Sequence, residues 1–485
     1  MVRPRRALAL LAVVAMLAAG CGGGDGSAGD DSTGGDARAL PACPLDALDD
    51  AAGPVEVVLW HFLTAKTKEA LERLAADYNA SQSKVRVRVE SQGTNNDELF
   101  AKYRAGIATG DLPAIAVLDD TVTVQVIDSG TVLPAQSCID ASGADMSGFL
   151  QAGRDYYTVD GVLWPASLNL SAALLYYNRN HFRRAGLDPD RAPGTLAELR
   201  DYAERIRAAG VVDRPLVLKV SPPILEMFLT GARVPMVNND NGRGPGETTE
   251  AAFDQPTTVE LYTWIADMVR DGLMEAVPDT PGQINHYLAL AQQNGTMTIE
   301  TSTAATSVEA FLGGDTSIAG DLAEGAGIDL SALDIGAAPV PGIEAPGRLA
   351  MGGGAWYLTR TGPPEVQAAA WDFVSYVNSV DAQVTWNLIG SYLPYNNAAV
   401  ADPRLQERWT TTLAGRWLAI AYEELTTGVD PAFPGPLMGP YDQFRAALRA
   451  SMDDLLFNGV PPADAVSRAA AETTAALQRY AEEDF

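Results

Sequence analysis

Two adjacent carboxylates, Asp119 and Asp120, close the apolar run PAIAVLDD at 113–120. At the end of a buried strand they could accept hydrogen bonds from a hydroxylated ligand. They could also belong to a glycoside hydrolase, which needs two carboxyls about 5–9.5 Å apart across a cleft. Neighbours on one strand point to opposite faces, so this pair cannot supply that arrangement alone. Asp120 with Glu300 could supply it, although nothing else in the chain supports such a pair. A second apolar run, VEVVLW at 55–60, ends in Trp60 and His61. Trp60 could offer a flat face to a sugar or pack inward, and His61 reads as structural. The 3 histidines show no H-x-x-x-H spacing and the 3 cysteines no C-x-x-C spacing, so neither a metal nor a cofactor is expected. A G-x-G-x-x-G spacing at Gly24, Gly26 and Gly29 has no strand before it and no helix after it, which excludes a dinucleotide site. No phosphate-binding G-x-x-x-x-G-K-[ST] run is present.

The elements that must position these groups follow from periodicity. After the first strand, Ala70, Leu71, Leu74, Ala75 and Tyr78 repeat at helical spacing. KVRVRV alternates Val85, Val87 and Val89 as a half-buried strand. A helix over 97–107 stops at Gly110, and PAIAVLDD forms the third strand. This β-α-β-α-β opening predicts a parallel sheet covered by helices, with ligands beyond the carboxyl ends of its strands. Further on, GVLWPASLNLSAALLYYN is extended and NRNHFRRAG is a short helix. GTLAELRDYAERIRAAG is a helix capped by Thr195. The segment 220–250, rich in Gly, Pro and Asn, reads mostly as loop. Helices are expected near 256–272 and 281–294, strands in NGTMTIET, DIGAAPVPG and LAMGGGAWYLT, and helices at 364–378 and 380–389. A long helix from Pro462 to Glu482 ends the chain.

The 485 residues exceed one ordinary core, and 47% hydrophobic residues mark a globular protein. A net charge of −28 repels phosphate backbones, so no nucleic-acid partner is expected. MVRPRRALALLAVVAMLAAGC reads as a secretory signal over residues 1–20. It ends in a sequence resembling a bacterial lipobox, with Cys21 as the lipidated residue. A Gly-, Ser- and Asp-rich tether follows, and 21–54 is assigned to the lipidated cysteine and a flexible linker. Outside the cytoplasm, Cys43 and Cys138 are then expected to form a disulfide.

The stretches VVLWHFL, LLYYNRNHFRRAGLDPDRAPGTLAEL, MGGGAWYL and GSYLPYNN resemble the extracellular solute-binding proteins, family 1, which serve ABC importers of sugars and glycerol phosphates. The resemblance covers roughly 55–480 and implies an α/β, two-lobe periplasmic-binding-protein-like fold with a ligand cleft. Three interlobe crossings are implied near Asn169–Ser171, Gly336–Pro339 and Leu388–Tyr392. Lobe 1 would comprise 55–168 and 338–389, and lobe 2 would comprise 169–337 and 390–485. The implied protein closes on a sugar and presents it to the transmembrane subunits of an ABC permease. It is an extracytoplasmic monomer, lipid-anchored to the outer face of the cell membrane, and performs no catalysis.

The resemblance also implies ligand contacts. Asp120 matches a carboxylate that binds ligand in the glycerol-3-phosphate branch, with Asp119 beside it. That branch has a Tyr where GTNND places Asn95. Ser171 matches a family ligand Ser, and Asn169 serves either ligand or hinge. Thr301 and Ser302 match a small hydroxyl position, Gly353 a cleft amide, and Tyr392 a ligand Tyr. Trp356 either stacks on a sugar or packs inward, and Tyr441 is a looser candidate. Glycerol-phosphate binders carry an Arg in the loop that here reads FPGPLMGPY, 433–441, with Met438 at the matching position. Its absence favours a neutral sugar or oligosaccharide over glycerol-3-phosphate or a phosphodiester. An extracellular glycoside-active enzyme and a sensor subunit docking to a membrane receptor are the rival readings.

Overall fold

The structure is a computed structural model, and it describes residues 40–278, 285–315, 329, 333–347 and 352–482. Cys21, the signal and the tether through residue 39 lie outside these residues. The rest of the 21–54 linker assignment does not: from Pro41 the chain belongs to the folded unit, with a short helix at Leu45–Leu48 and Cys43 buried. The described elements belong to one unit beginning at Pro41, built on two sheets.

The first sheet contains β1 (Val55–His61), β2 (Val85–Ser91), β3 (Ile115–Asp119), β4 (Val132–Leu133) and β5 (Ser167–Ser171). The second contains β6 (Ala173–Asn178), β7 (Leu216–Lys219), β8 (Met274–Val277), β9 (Met297–Thr301) and β10 (Ile335–Ala338). The chain then returns to the first sheet as β11 (Gly352–Thr359). The first sheet runs β2-β1-β3-β11-β4, with β5 also paired to β11, and the second runs β8-β7-β9-β6-β10. β1, β2 and β3 are parallel, as the alternating opening predicts. β11 runs antiparallel to β3 and sets Gly354 beside Asp119.

Period-two and helical patterns explain the packing. Val55, Val57 and Leu59 of β1 point into a core shared with Leu71, Leu74 and Tyr78 of the helix Ala65–Ser81. Tyr176, Tyr177 and Phe182, from the Tyr-Asn strand and the short helix after it, belong to the other core. Asn178 caps that helix by accepting from the backbone N–H groups of Asn180 and His181. Thr195 caps the helix Leu196–Ala208 in the same way. Cys43 and Cys138 are disulfide-bonded with their Cα atoms 4.9 Å apart. The bond ties the start of this unit to the helix Ala135–Ser142.

One element was not expected. The segment 220–250 is mostly loop and turn, but within it PPILEMFLTG forms the helix Pro222–Gly231. Pro222 and Pro223 fall in its first turn, where a missing N–H costs nothing. Their presence suggests a loop only if they are read as breakers. A left-handed turn follows at Asn238–Gly242, with φ of 55°, 52° and 57° at Asn239, Asp240 and Asn241. The preceding strand β7 was not anticipated either.

Candidate cleft between the two sheets

The chain leaves the first sheet at Ser171 and enters the second at Ala173. The ends of β3, β5, β9 and β11 therefore face one space, a cavity of about 370 Å³. Of the residues singled out from the sequence, Asp119, Asp120, Ser171, Thr301, Gly353, Tyr392 and Tyr441 line it.

Five others lie elsewhere. Trp60 donates its indole N–H to Glu90 (3.0 Å) in a separate groove. Burial alternates along β1, with Val55, Val57, Leu59 and His61 buried and Val58 and Trp60 on the more open face that lines this groove. Asn95 is the cap of the helix Asn96–Thr109, its side chain accepting from the Glu98 N–H. Trp356 is fully buried and donates its indole N–H to Asn169 Oδ1 (2.8 Å), so its polar edge is committed to Asn169 rather than to the cleft. Ser302 is also fully buried, and its hydroxyl accepts from the Ala172 N–H (3.2 Å), stapling the crossing.

Gly353 carries a backbone requirement. Its φ is 135°, and a Cβ there would lie 1.7 Å from the Asn169 carbonyl oxygen. Only glycine lets β11 press this closely on β5 at the cavity wall.

The helix that the sequence reading missed supplies Glu226, Met227 and Thr230. Glu226 meets Arg445, a cation in the first turns of the helix Tyr441–Phe457. The Arg445 guanidinium donates to Glu226 through Nε at 2.8 Å and lies 3.5 Å from Asp119. Tyr441 donates its hydroxyl to the same Glu226 carboxylate at 2.7 Å. The absence of Arg in the loop 433–441 therefore does not deprive the cleft of a guanidinium. Arg445 reaches it from one helical turn past that loop. Spacing from Tyr441 could have flagged it, since residues four apart share a helix face.

The electrostatics divide the carboxylates. Burial and the adjacent Asp119 charge push the Asp120 carboxyl well above the ordinary range, against the pull of Arg445 and the Tyr156 hydrogen bond. Tyr156 donates to Asp120 at 2.9 Å. Burial also acts to raise Glu300. The hydrogen bond to His286 Nε2 (2.9 Å), the charge of Lys219 and the Thr301 N–H overcome it and hold Glu300 at about 2. Glu300 is therefore an ionised acceptor in the wall, and Asp120 leans toward its neutral acid form.

The left-handed turn supports this wall from behind. Arg243 donates to the carbonyls of Gly435 (2.8 Å) and Tyr156 (3.2 Å) and lies over the Tyr156 ring. A Cβ on Gly242, at φ 79°, would meet the Leu437 carbonyl oxygen at 1.6 Å. The turn thus holds both Tyr156 and the Gly435–Pro436 rim in place.

What this arrangement can do is hold a polar solute. It offers hydroxyls, carboxylates and paired cations around a space of ligand size. The profile of the family described as bacterial extracellular solute-binding protein matches residues 73–412. The chain therefore belongs to that family. It is similar to the sn-glycerol-3-phosphate-binding periplasmic protein UgpB of Rhizobium meliloti (strain 1021), 26% identical over 73% of this chain and 78% of that protein. It is 28% identical to UgpB of Brucella abortus (strain 2308) over 46% of this chain and 52% of that protein, so this second match spans about half the relative. Solved structures share the fold. UgpB from Mycobacterium tuberculosis in complex with glycerophosphocholine has a TM-score of 0.69 at 17% identity, covering 89% of this chain and 100% of that one. The cyclic alpha-maltosyl-1,6-maltose binding protein from Arthrobacter globiformis has a TM-score of 0.63 at 22% identity, covering 88% and 100%. This likeness establishes the two-lobe binding-protein fold.

Proposed function

We propose that this chain is the solute-capturing subunit of an ABC importer and that its cargo head group is an uncharged sugar or oligosaccharide. The observation that carries the reading is the state of Arg445. Glu226 engages its guanidinium at 2.8 Å, and Asp119 lies 3.5 Å away. Lys219 likewise lies 4.0 Å from Glu300. A phosphate would have to displace these carboxylates or sit beside them, at a cost in repulsion. Sugar hydroxyls can instead donate to Asp119 and Glu226. Tyr392, whose hydroxyl has no protein hydrogen-bond partner among the described residues, provides a ring and a polar tip.

On this reading Cys21 carries the lipid, the protein works as a monomer at the outer face of the membrane, and the cargo is released unaltered to a permease. The resemblance of 1–21 to a lipoprotein signal supports the anchor. Loss of labelled-lipid incorporation in Cys21→Ser tests it. A glycerol phosphate or phosphodiester is the second reading, favoured by a guanidinium in the cavity and by the relatives named for that ligand. A thermal-shift screen decides between them, because binding the folded form raises its melting point. Stabilisation by neutral sugars supports the first reading. Stabilisation by sn-glycerol-3-phosphate or glycerophosphocholine alone overturns it in favour of the second.

A further inference from the structure

Beside the polar cleft lies a second cavity of about 480 Å³. Lys219, Glu300, Thr301 and Thr303 line both spaces, so the two meet at this wall. Past it the chemistry changes. Leu288, Val308, Phe311, Leu312, Leu333 and Ile335 form the sides. All but Ile335 are only half-buried, leaving apolar surface directed at the cavity rather than packed away. The start of the helix Ala65–Ser81, which belongs to the first sheet's side, closes the opposite side through Thr64–Thr67.

We propose that this cavity takes the apolar tail, alkyl or aryl, of the solute whose hydroxylated head lies in the polar cleft, so that the cargo is an amphiphile. The inference rests on the cleft being the solute site. The walls argue against a further sugar ring, since each hydroxyl brought there must find a partner or pay for lost water. Glu300 is already bonded by His286 and the Thr301 N–H, and Thr298 is fully buried. A tail needs no such partners and removes from water the same leucine, valine and phenylalanine surface that the cavity exposes. The space adjoins the cleft and has the volume of a small-ligand pocket, which suits one arm of a small molecule.

The test uses a probe that has no head group, the uncharged fluorophore N-phenyl-1-naphthylamine. It is expected to bind saturably at one site. Val308→Asp and the milder Leu312→Gln should each weaken it at least tenfold, while Tyr392→Phe should leave it unchanged. n-Octyl β-D-glucopyranoside below its micellar concentration should displace the dye, at a concentration at least tenfold lower than methyl β-D-glucopyranoside. Absence of dye binding, as when the protein's own chain fills the space, overturns the proposal. So does equal binding to wild type and both variants, or equal potency of the two glucosides. Neutral sugars raising the melting point while the dye fails to bind would leave the proposed function standing without the tail site. Dye binding without stabilisation by any uncharged solute would remove the head-group reading, and the amphiphile with it.

Discussion

Replacing Arg445 with Met tests the electrostatic core of the cleft most directly. The Glu226 side chain is 7% exposed and that of Arg445 is 22% exposed. Removing the guanidinium leaves a buried carboxylate whose one remaining hydrogen-bond donor among the described residues is the Tyr441 hydroxyl. Breaking a buried pair in this way costs about 3–5 kcal/mol, and the partial exposure of Arg445 places this case near the lower end, about 3 kcal/mol. Glu226→Gln alone should also destabilise, because Arg445 then faces only Asp119 at 3.5 Å. The double variant removes both charges together. Its cost should fall short of the sum of the single changes by about 1–3 kcal/mol, the range of coupling between contacting groups. Urea unfolding followed by tryptophan fluorescence measures all four proteins, with unchanged slopes required for the comparison. If Arg445→Met lies within about 1 kcal/mol of wild type, or the two changes add without coupling, the claim that these groups neutralise one another fails, and with it the argument against phosphate ligands.

Tyr392→Phe removes the cavity-facing hydroxyl and keeps the ring stacked on Trp386 (centroids 5.2 Å apart); calorimetry should show about tenfold weaker solute binding with an unchanged melting point, as for one lost hydrogen bond. Reduction of Cys43–Cys138, which spans 95 residues, should destabilise the protein by up to about 4.7 kcal/mol on the chain-entropy account, read from denaturation with and without reductant. Glu300 is held at about 2 in the folded chain against an ordinary 4.5, so the unfolded chain takes up its proton first. Its contribution, on the order of 3 kcal/mol, is present above pH about 4.5 and is lost as pH falls toward about 2; Glu300→Gln should flatten that part of the stability profile. Incubation with assorted glycosides should release no reducing ends, since sustained turnover would replace the binder reading with a hydrolase.

The parts of the molecule legible in advance were those set by short-range rules. Val85, Val87 and Val89 alternate, and only one face of β2 could be buried. Gly110 ends its helix in the left-handed region, as a glycine after the last periodic residue should. The end of β3 was recognisable as a place that lines a cleft because strand ends in open α/β sheets face the crevice. The misses share a different cause. Trp60 and Asp119 both close apolar strands, and no local signal distinguishes the one that points to a groove with Glu90 from the one that lines the cleft. The helix Pro222–Gly231 was hidden because proline in a first turn and proline in a loop look alike along the chain.

By itself the sequence determined the alternation of strands and helices, the chain reversals and the disulfide pair. Tertiary structure alone decided that Arg445 meets Glu226 across 219 positions, and that Trp356 is satisfied by Asn169 rather than free to stack on a sugar. Periodicity reports which side of an element is buried, because burial along one element repeats with its own geometry. It carries no record of which distant element supplies the partner, and in this cleft the partner determines whether a charge is available to a ligand.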